Sequence, residues 1–179
     1  MWHQFDLLLD RQIQEAEREF YGLIGLVAVR FARLEAQLTD LLSALIHPND
    51  DLLADMLTED IFIGKTIDMI KKVGRMRSVD DTLLDEIVST ANSLKRERND
   101  YLHGIWKIEV KGNGEVIATC SKRKISFKQL GSTKTWTNGY TAKPVTLSSL
   151  RSVALKLESL SLKVQQLIDE IENDHEGVL

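Results

Sequence analysis

The 179-residue chain has a single cysteine, Cys120. That excludes an intrachain disulfide, a cysteine zinc cluster and a Cys-x-x-Cys redox pair, and it points to a reducing compartment. Long apolar runs are also missing, since no stretch approaches the roughly 20 residues that span a bilayer, so no membrane partner is expected. The opening Met1–Asp10 has no basic leader and Asp10 cuts its apolar run short, unlike a signal peptide. A cytoplasmic protein is the expectation. Internal repeats and low-complexity segments are absent. Gly22-Leu23-Ile24-Gly25 and Gly112-Asn113-Gly114 lack the strand-to-helix context of a phosphate-cradling loop. The paired acids Asp50-Asp51 and Asp80-Asp81 stand where helices begin, which the N-terminal preference for negative charge explains. No metal and no cofactor are expected.

The most informative absence is of acid. From Val116 to Leu157 there is no Asp or Glu, while Lys122, Arg123, Lys124, Lys128, Lys134, Lys143, Arg151 and Lys156 carry eight positive charges. Against a net charge of −4 for the whole chain, these leave −12 on the remainder. An acid-free basic tract on an acidic body suits a polyanion, because each cation set against a phosphate releases condensed counterions. Lys122, Arg123, Lys124 and Lys128 are the candidate RNA-binding residues. A solvated basic hairpin and an acidic copy of the same chain are the alternatives.

What is present suffices for one domain. At 43% hydrophobic and 28% charged residues, the chain has material for a full core without disulfides or metals. Residues 1–179 are read as a single, mainly α domain: an antiparallel helical bundle with a small β-hairpin or β-meander inserted before the last helix. A helix from about Arg11 to Leu45 places Phe20, Leu23, Ile24, Val27, Phe31, Leu34, Leu38, Leu41, Leu42 and Leu45 on one face and ends at His47-Pro48. A short helix is expected over Asp50–Leu57 and a third over Ile61–Val73, with Gly74 as its stop. A fourth runs from a cap at Ser78 or Asp80 to His103, where Gly104 offers the left-handed residue that closes a helix.

Beyond Gly104 the period changes. Ile105–Val110 alternates like a strand, Gly112-Asn113-Gly114 is turn chemistry, and Val116–Cys120 is the return strand. Short strands near Lys124–Phe127 and Lys134–Thr141, or a mobile loop, complete a strand-rich basic insertion at about 105–145. Trp106, Trp136 and Tyr140 are candidates for stacking on bases, or for core and hairpin pairs. Thr146 is a good N-cap for a last helix reaching Glu172. In it Leu150, Val153, Leu157, Leu160, Val164, Leu167 and Ile171 alternate steps of three and four, a seam for packing inside the bundle or for a dimer.

Chemistry concentrates at the end of the fourth helix. At about 100° per residue, Leu84, Ile87, Ala91, Leu94, Arg98, Tyr101 and Leu102 share one stripe, with Arg98 among them. A guanidinium in an apolar stripe needs a counter-charge, carbonyls or an anionic ligand, and Glu35 on the first helix is the candidate internal partner. Asn99 and His103 share a different face, which points outward or into a groove. His103 stands in the last turn, where the helix dipole favours an imidazolium. Exposed interaction with the terminal carbonyls is its other reading.

Arg98-Asn99-Asp100-Tyr101-Leu102-His103 resembles the Arg, polar residue, spacer, His motif of HEPN domains, a superfamily that includes ribonucleases of toxin-antitoxin and abortive-infection systems as well as non-catalytic relatives. The resemblance covers the helices from about Arg11 to Gly104 and extends to the last helix; the insertion at 105–145 is foreign to a minimal HEPN bundle. It implies a metal-independent endoribonuclease with Arg98 as phosphate binder and His103 as general acid/base. Asn99 orders the site, and Glu35 and Tyr101 are supporting residues. It also implies a homodimer, since family sites are generally assembled by two protomers, and an antitoxin or nucleotidyltransferase partner. The alternative it leaves is a non-catalytic RNA- or protein-binding module in which Arg98 is structural.

Overall fold

The computed structural model describes residues 2–46, 51–111, 116–130 and 133–176; the side chains of 2–10, 51, 55, 110, 128, 130, 136 and 174–176 lie outside the described set. Among the described residues it has five helices, α1 (Trp2–Ile46), α2 (Asp51–Thr58), α3 (Ile63–Met76), α4 (Asp81–His103) and α5 (Leu147–Glu176). Between α4 and α5 it has three strands, β1 (Ile105–Val110), β2 (Val116–Leu130) and β3 (Thr133–Val145). The fold is mainly α, with the small sheet inserted before the last helix. No described helix is long and apolar enough to cross a membrane.

The chain divides into two compact units, Val27–Arg98 with Val153–Leu179, and Met1–Leu26 with Asn99–Ser152. The first is helical. Its core is the expected face of α1, where Val27, Phe31, Leu34, Leu38, Leu41, Leu42 and Leu45 are buried, together with Leu84, Ile87, Ala91 and Leu94 of α4. Val153, Leu157, Leu160, Val164 and Leu167 of α5 are buried in the same unit. Polar contacts fix their packing: Arg30 donates to the carbonyl of Ala154 at 2.8 Å and pairs with Glu158 at 3.1 Å, and Gln37 donates to Gln165 at 3.2 Å. The α5 seam is thus occupied by the chain's own helices, which resolves the two readings of its heptads in favour of internal packing.

The end of α3 differs from expectation. Gly74 lies inside the helix, buried where a Cβ would fall 2.7 Å from Leu84 Cδ1, so its role is close approach to α4. The left-handed residue is Ser78, at φ 60°. The amide of Val79 donates back to the carbonyl of Gly74 at 3.0 Å and that of Ser78 to Arg75 at 3.2 Å, closing the carbonyls at the helix end. The cap of α4 is then Asp80, whose Oδ1 accepts from the Leu83 amide at 2.8 Å.

The second unit carries the sheet, ordered β1-β2-β3 and antiparallel throughout. β1 pairs with β2 from Val110↔Val116 to Ile105↔Ser121, and β2 with β3 from Ala118↔Val145 to Leu130↔Thr133. The expected separate short strands merge into two long ones. The Gly112-Asn113-Gly114 turn and the His47-Pro48 helix end lie outside the described residues. Thr146 caps α5 as its hydroxyl accepts from the Ser149 amide at 3.1 Å.

Candidate functional site

α4 carries the motif, with Arg98 at the edge of the helical unit and Asn99 to His103 in the sheet-bearing one. Arg98 is half-buried, and its guanidinium carbon stands 5.2 Å from the ring centroid of Phe31. The quadrupole of that ring attracts the cation, an interaction worth roughly 0.5–2 kcal/mol according to its desolvation. The expected pair with Glu35 is not among the ion pairs of the described residues. A planar guanidinium on an aromatic face explains how it is accommodated on an apolar stripe.

Tyr101 is buried and belongs to the core of its unit. Its carbonyl accepts from Trp106 Nε1 at 2.9 Å, and the two rings tilt against each other at 5.9 Å, with Phe20 6.4 Å from the indole. Trp106 is therefore a packing residue, not a platform for bases. Asn99 is half-buried and His103, the last residue of α4, is exposed. Asn99 and His103, four apart, share a face of the helix, as their spacing predicts.

Gly104 ends the motif for a reason other than the expected one. Its backbone is not left-handed; a Cβ there would lie 2.2 Å from Cys120 Sγ and 2.7 Å from the Asp100 carbonyl oxygen. Close approach of the helix end to the central strand requires glycine. At the same place Cys120 Sγ donates to the Asp100 carbonyl at 3.2 Å, and Lys122 pairs with the Asp100 carboxylate. These residues, with Tyr101, Thr141, Ala142, Lys143 and Val145, line a cavity of about 80 Å³, room for a few waters. Burial pushes the Cys120 thiol up, the Asp100 carboxylate adds to the rise, and Lys122 and Lys143 oppose it. The thiol is held protonated, the opposite of what a nucleophilic cysteine needs.

Of the candidate RNA-binding residues, Lys122 is thus half-buried and engaged with Asp100, whereas Arg123 and Lys124 are exposed on β2. Arg123 Nε donates to Asn138 Oδ1 at 3.0 Å across the strands. Lys128 stands opposite Thr135 in register, and its side chain lies outside the described set, as does that of Trp136. Tyr140 is exposed. The Asp100–Lys122 pair and the Cys120 hydrogen bond escape sequence reasoning, because 20 or more residues separate the partners and only the strand register joins them. Among the described residues no three His, Cys, Asp or Glu side chains are grouped to hold a metal ion. Comparisons with protein-family models, with curated proteins and with solved structures found no match to this chain.

Proposed function

We propose that the protein is a metal-independent endoribonuclease of HEPN type, acting in a defence or toxin-antitoxin setting. The observation that carries this reading is the exposed His103 at the C-terminal turn of α4, in the same compact unit as the acid-free basic strands. An imidazole there is open to solvent and to substrate, and histidine is the side chain that most often serves as a general acid or base. In the proposed reaction the RNA 2′-hydroxyl attacks the adjacent phosphorus and the bond from phosphorus to the 5′-oxygen breaks. His103 transfers the proton, and Arg98 holds the phosphate oxygens as charge builds on them. The products are a 2′,3′-cyclic phosphate and a 5′-hydroxyl. Sites of this type are assembled from two protomers, so a homodimer is part of the proposal, as is a neutralising antitoxin or nucleotidyltransferase partner.

One observation favours a second reading, a non-catalytic RNA- or protein-binding module. Arg98 stacks on Phe31, which gives the guanidinium a packing role that needs no substrate. Cleavage assays on a panel of RNAs with wild type, His103→Ala and Arg98→Ala separate the two. Loss of cleavage in folded His103→Ala supports the enzyme, and absence of cleavage by wild type with retained RNA binding supports the module.

A further inference from the structure

β2 and β3 run on together after β1 has ended. The last β1 pair on β2 is Ile105↔Ser121, whereas β2 and β3 stay paired from Lys122↔Thr141 to Leu130↔Thr133. At about 3.3 Å per residue this two-stranded ribbon is roughly 30 Å long. Two strands alone bury little and are marginal in water, so a ribbon of this length calls for a purpose beyond packing.

Its two faces differ in chemistry. Successive residues of a strand point to opposite sides, and directly opposed residues of antiparallel strands point to the same side. One face therefore carries Arg123, Ile125 and Phe127 with Tyr140 and Asn138, and the other carries Lys122 and Lys124 with Ser126, Thr137 and Thr141. On the first face Ile125 is 58%, Phe127 43% and Tyr140 65% exposed. Neither face holds an acid, because the sequence has none between Val116 and Leu157.

We infer that this ribbon is a binding arm for single-stranded nucleic acid, with the Arg123, Phe127 and Tyr140 face receiving unstacked bases, and Arg123 and Lys134, which stands opposite Gln129 on that same face, meeting the phosphates. Charge complementarity selects a polyanion, since the ribbon carries cations on both faces and no Asp or Glu of its own, while the rest of the chain is net acidic. The exposed rings then select an unpaired strand, because a duplex keeps its base faces stacked inside and offers them nothing to stack on, whereas every unpaired base presents a π-face. Recognition of this kind tolerates sequence. The inference deepens the ribonuclease reading by naming an unpaired strand as substrate, and it is measured without cleavage.

The test is fluorescence anisotropy of the full chain with a 2′-deoxy oligonucleotide of about 12 nucleotides, a length within the usual span of stacking platforms. Such a strand resists attack by a 2′-hydroxyl. The same strand in a duplex and a matched RNA are the comparisons, each over a series of salt concentrations. The single strand should bind at least tenfold more tightly than the duplex. Tyr140→Ala and Phe127→Ala should each weaken single-strand binding roughly five- to tenfold with an unchanged salt slope, as removal of a stacking surface demands. Arg123→Gln with Lys134→Gln should flatten the slope by about 0.7 for each phosphate that is no longer neutralised. Tyr140 is exposed enough that its truncation should leave the melting curve in place, which keeps the test independent of folding. Equal or tighter binding of the duplex, single-strand affinity indifferent to both rings, or no binding of any strand would overturn the inference. So would ribbon variants that alter only self-association, since a second copy would then be the occupant. Binding without cleavage would remove the ribonuclease reading and leave this one standing.

Discussion

Replacing Gly104 by alanine should destabilise the protein through a steric conflict that the motif alone does not reveal. The new Cβ would stand 2.2 Å from Cys120 Sγ and 2.7 Å from the Asp100 carbonyl oxygen, far inside van der Waals separation. Neither neighbour gives way cheaply. Asp100 is in the last turn of α4, and Cys120 is on the central strand, paired to Trp106 on one side and Lys143 on the other. Overpacking of this kind costs about 1–3 kcal/mol, which for a chain of this size lowers Tm by roughly 3–10 °C. Cys120→Ala removes the sulfur but not the carbonyl, so the Gly104→Ala/Cys120→Ala double variant should recover part of the loss and not all of it. Thermal unfolding followed by circular dichroism, read as a double-mutant cycle, measures both quantities. An unchanged Tm in Gly104→Ala, or additive losses in the cycle, would show that no close approach to Cys120 and Asp100 requires glycine here and leave Gly104 as an ordinary helix end.

Three further outcomes are expected. Arg98→Ala should cost about 1–2 kcal/mol in urea unfolding, the scale of a cation–π interaction, with strong coupling to Phe31→Leu; a loss of about 3–5 kcal/mol coupled to Glu35→Gln would indicate a buried ion pair instead. Cys120 should react slowly with iodoacetamide in the folded protein. Its raised pKa means folding favours the neutral thiol, so on the pH scale stability holds its full value below the unfolded thiol's pKa and declines as pH rises toward the folded one. Fast labelling at neutral pH would contradict this. Sedimentation at tens of micromolar should show a dimer if two protomers build the proposed site, and a monomer would count against that assembly.

Much of the fold is legible in the sequence where a period repeats over many turns. The face from Phe20 to Leu45 and the seam from Leu150 to Leu167 define α1 and α5, and the switch of period at Gly104 marks the start of β1 to the residue. Ends are less legible. Gly74 looks like a helix stop, but the residue that turns is Ser78, because what decides is which carbonyls are closed and how near Leu84 approaches. The strands around Lys124 and Lys134 are rich in lysine and threonine, so little alternation of apolar with polar residues announces that they continue. Their pairing comes from register with each other. At the candidate site, the outward placement of His103 follows from spacing on a helix. The ring beside Arg98 does not, since Phe31 and Glu35 lie one turn apart on α1 and a spacing argument favours the charge, where the structure sets Phe31 against the guanidinium.

Cleavage in the proposed reaction depends on His103. An exposed histidine is truncated at a cost usually under about 0.5 kcal/mol, so His103→Ala should melt with wild type and differ only in chemistry. The measurement is single-turnover cleavage of a labelled RNA in the presence of chelator, with the product ends identified. Wild type should cleave at an undiminished rate and leave a cyclic phosphate, a 2′-deoxy substitution at the cleaved position should block the reaction, and His103→Ala should be inactive. A folded His103→Ala protein that cleaves as fast as wild type would contradict the catalytic role of this histidine.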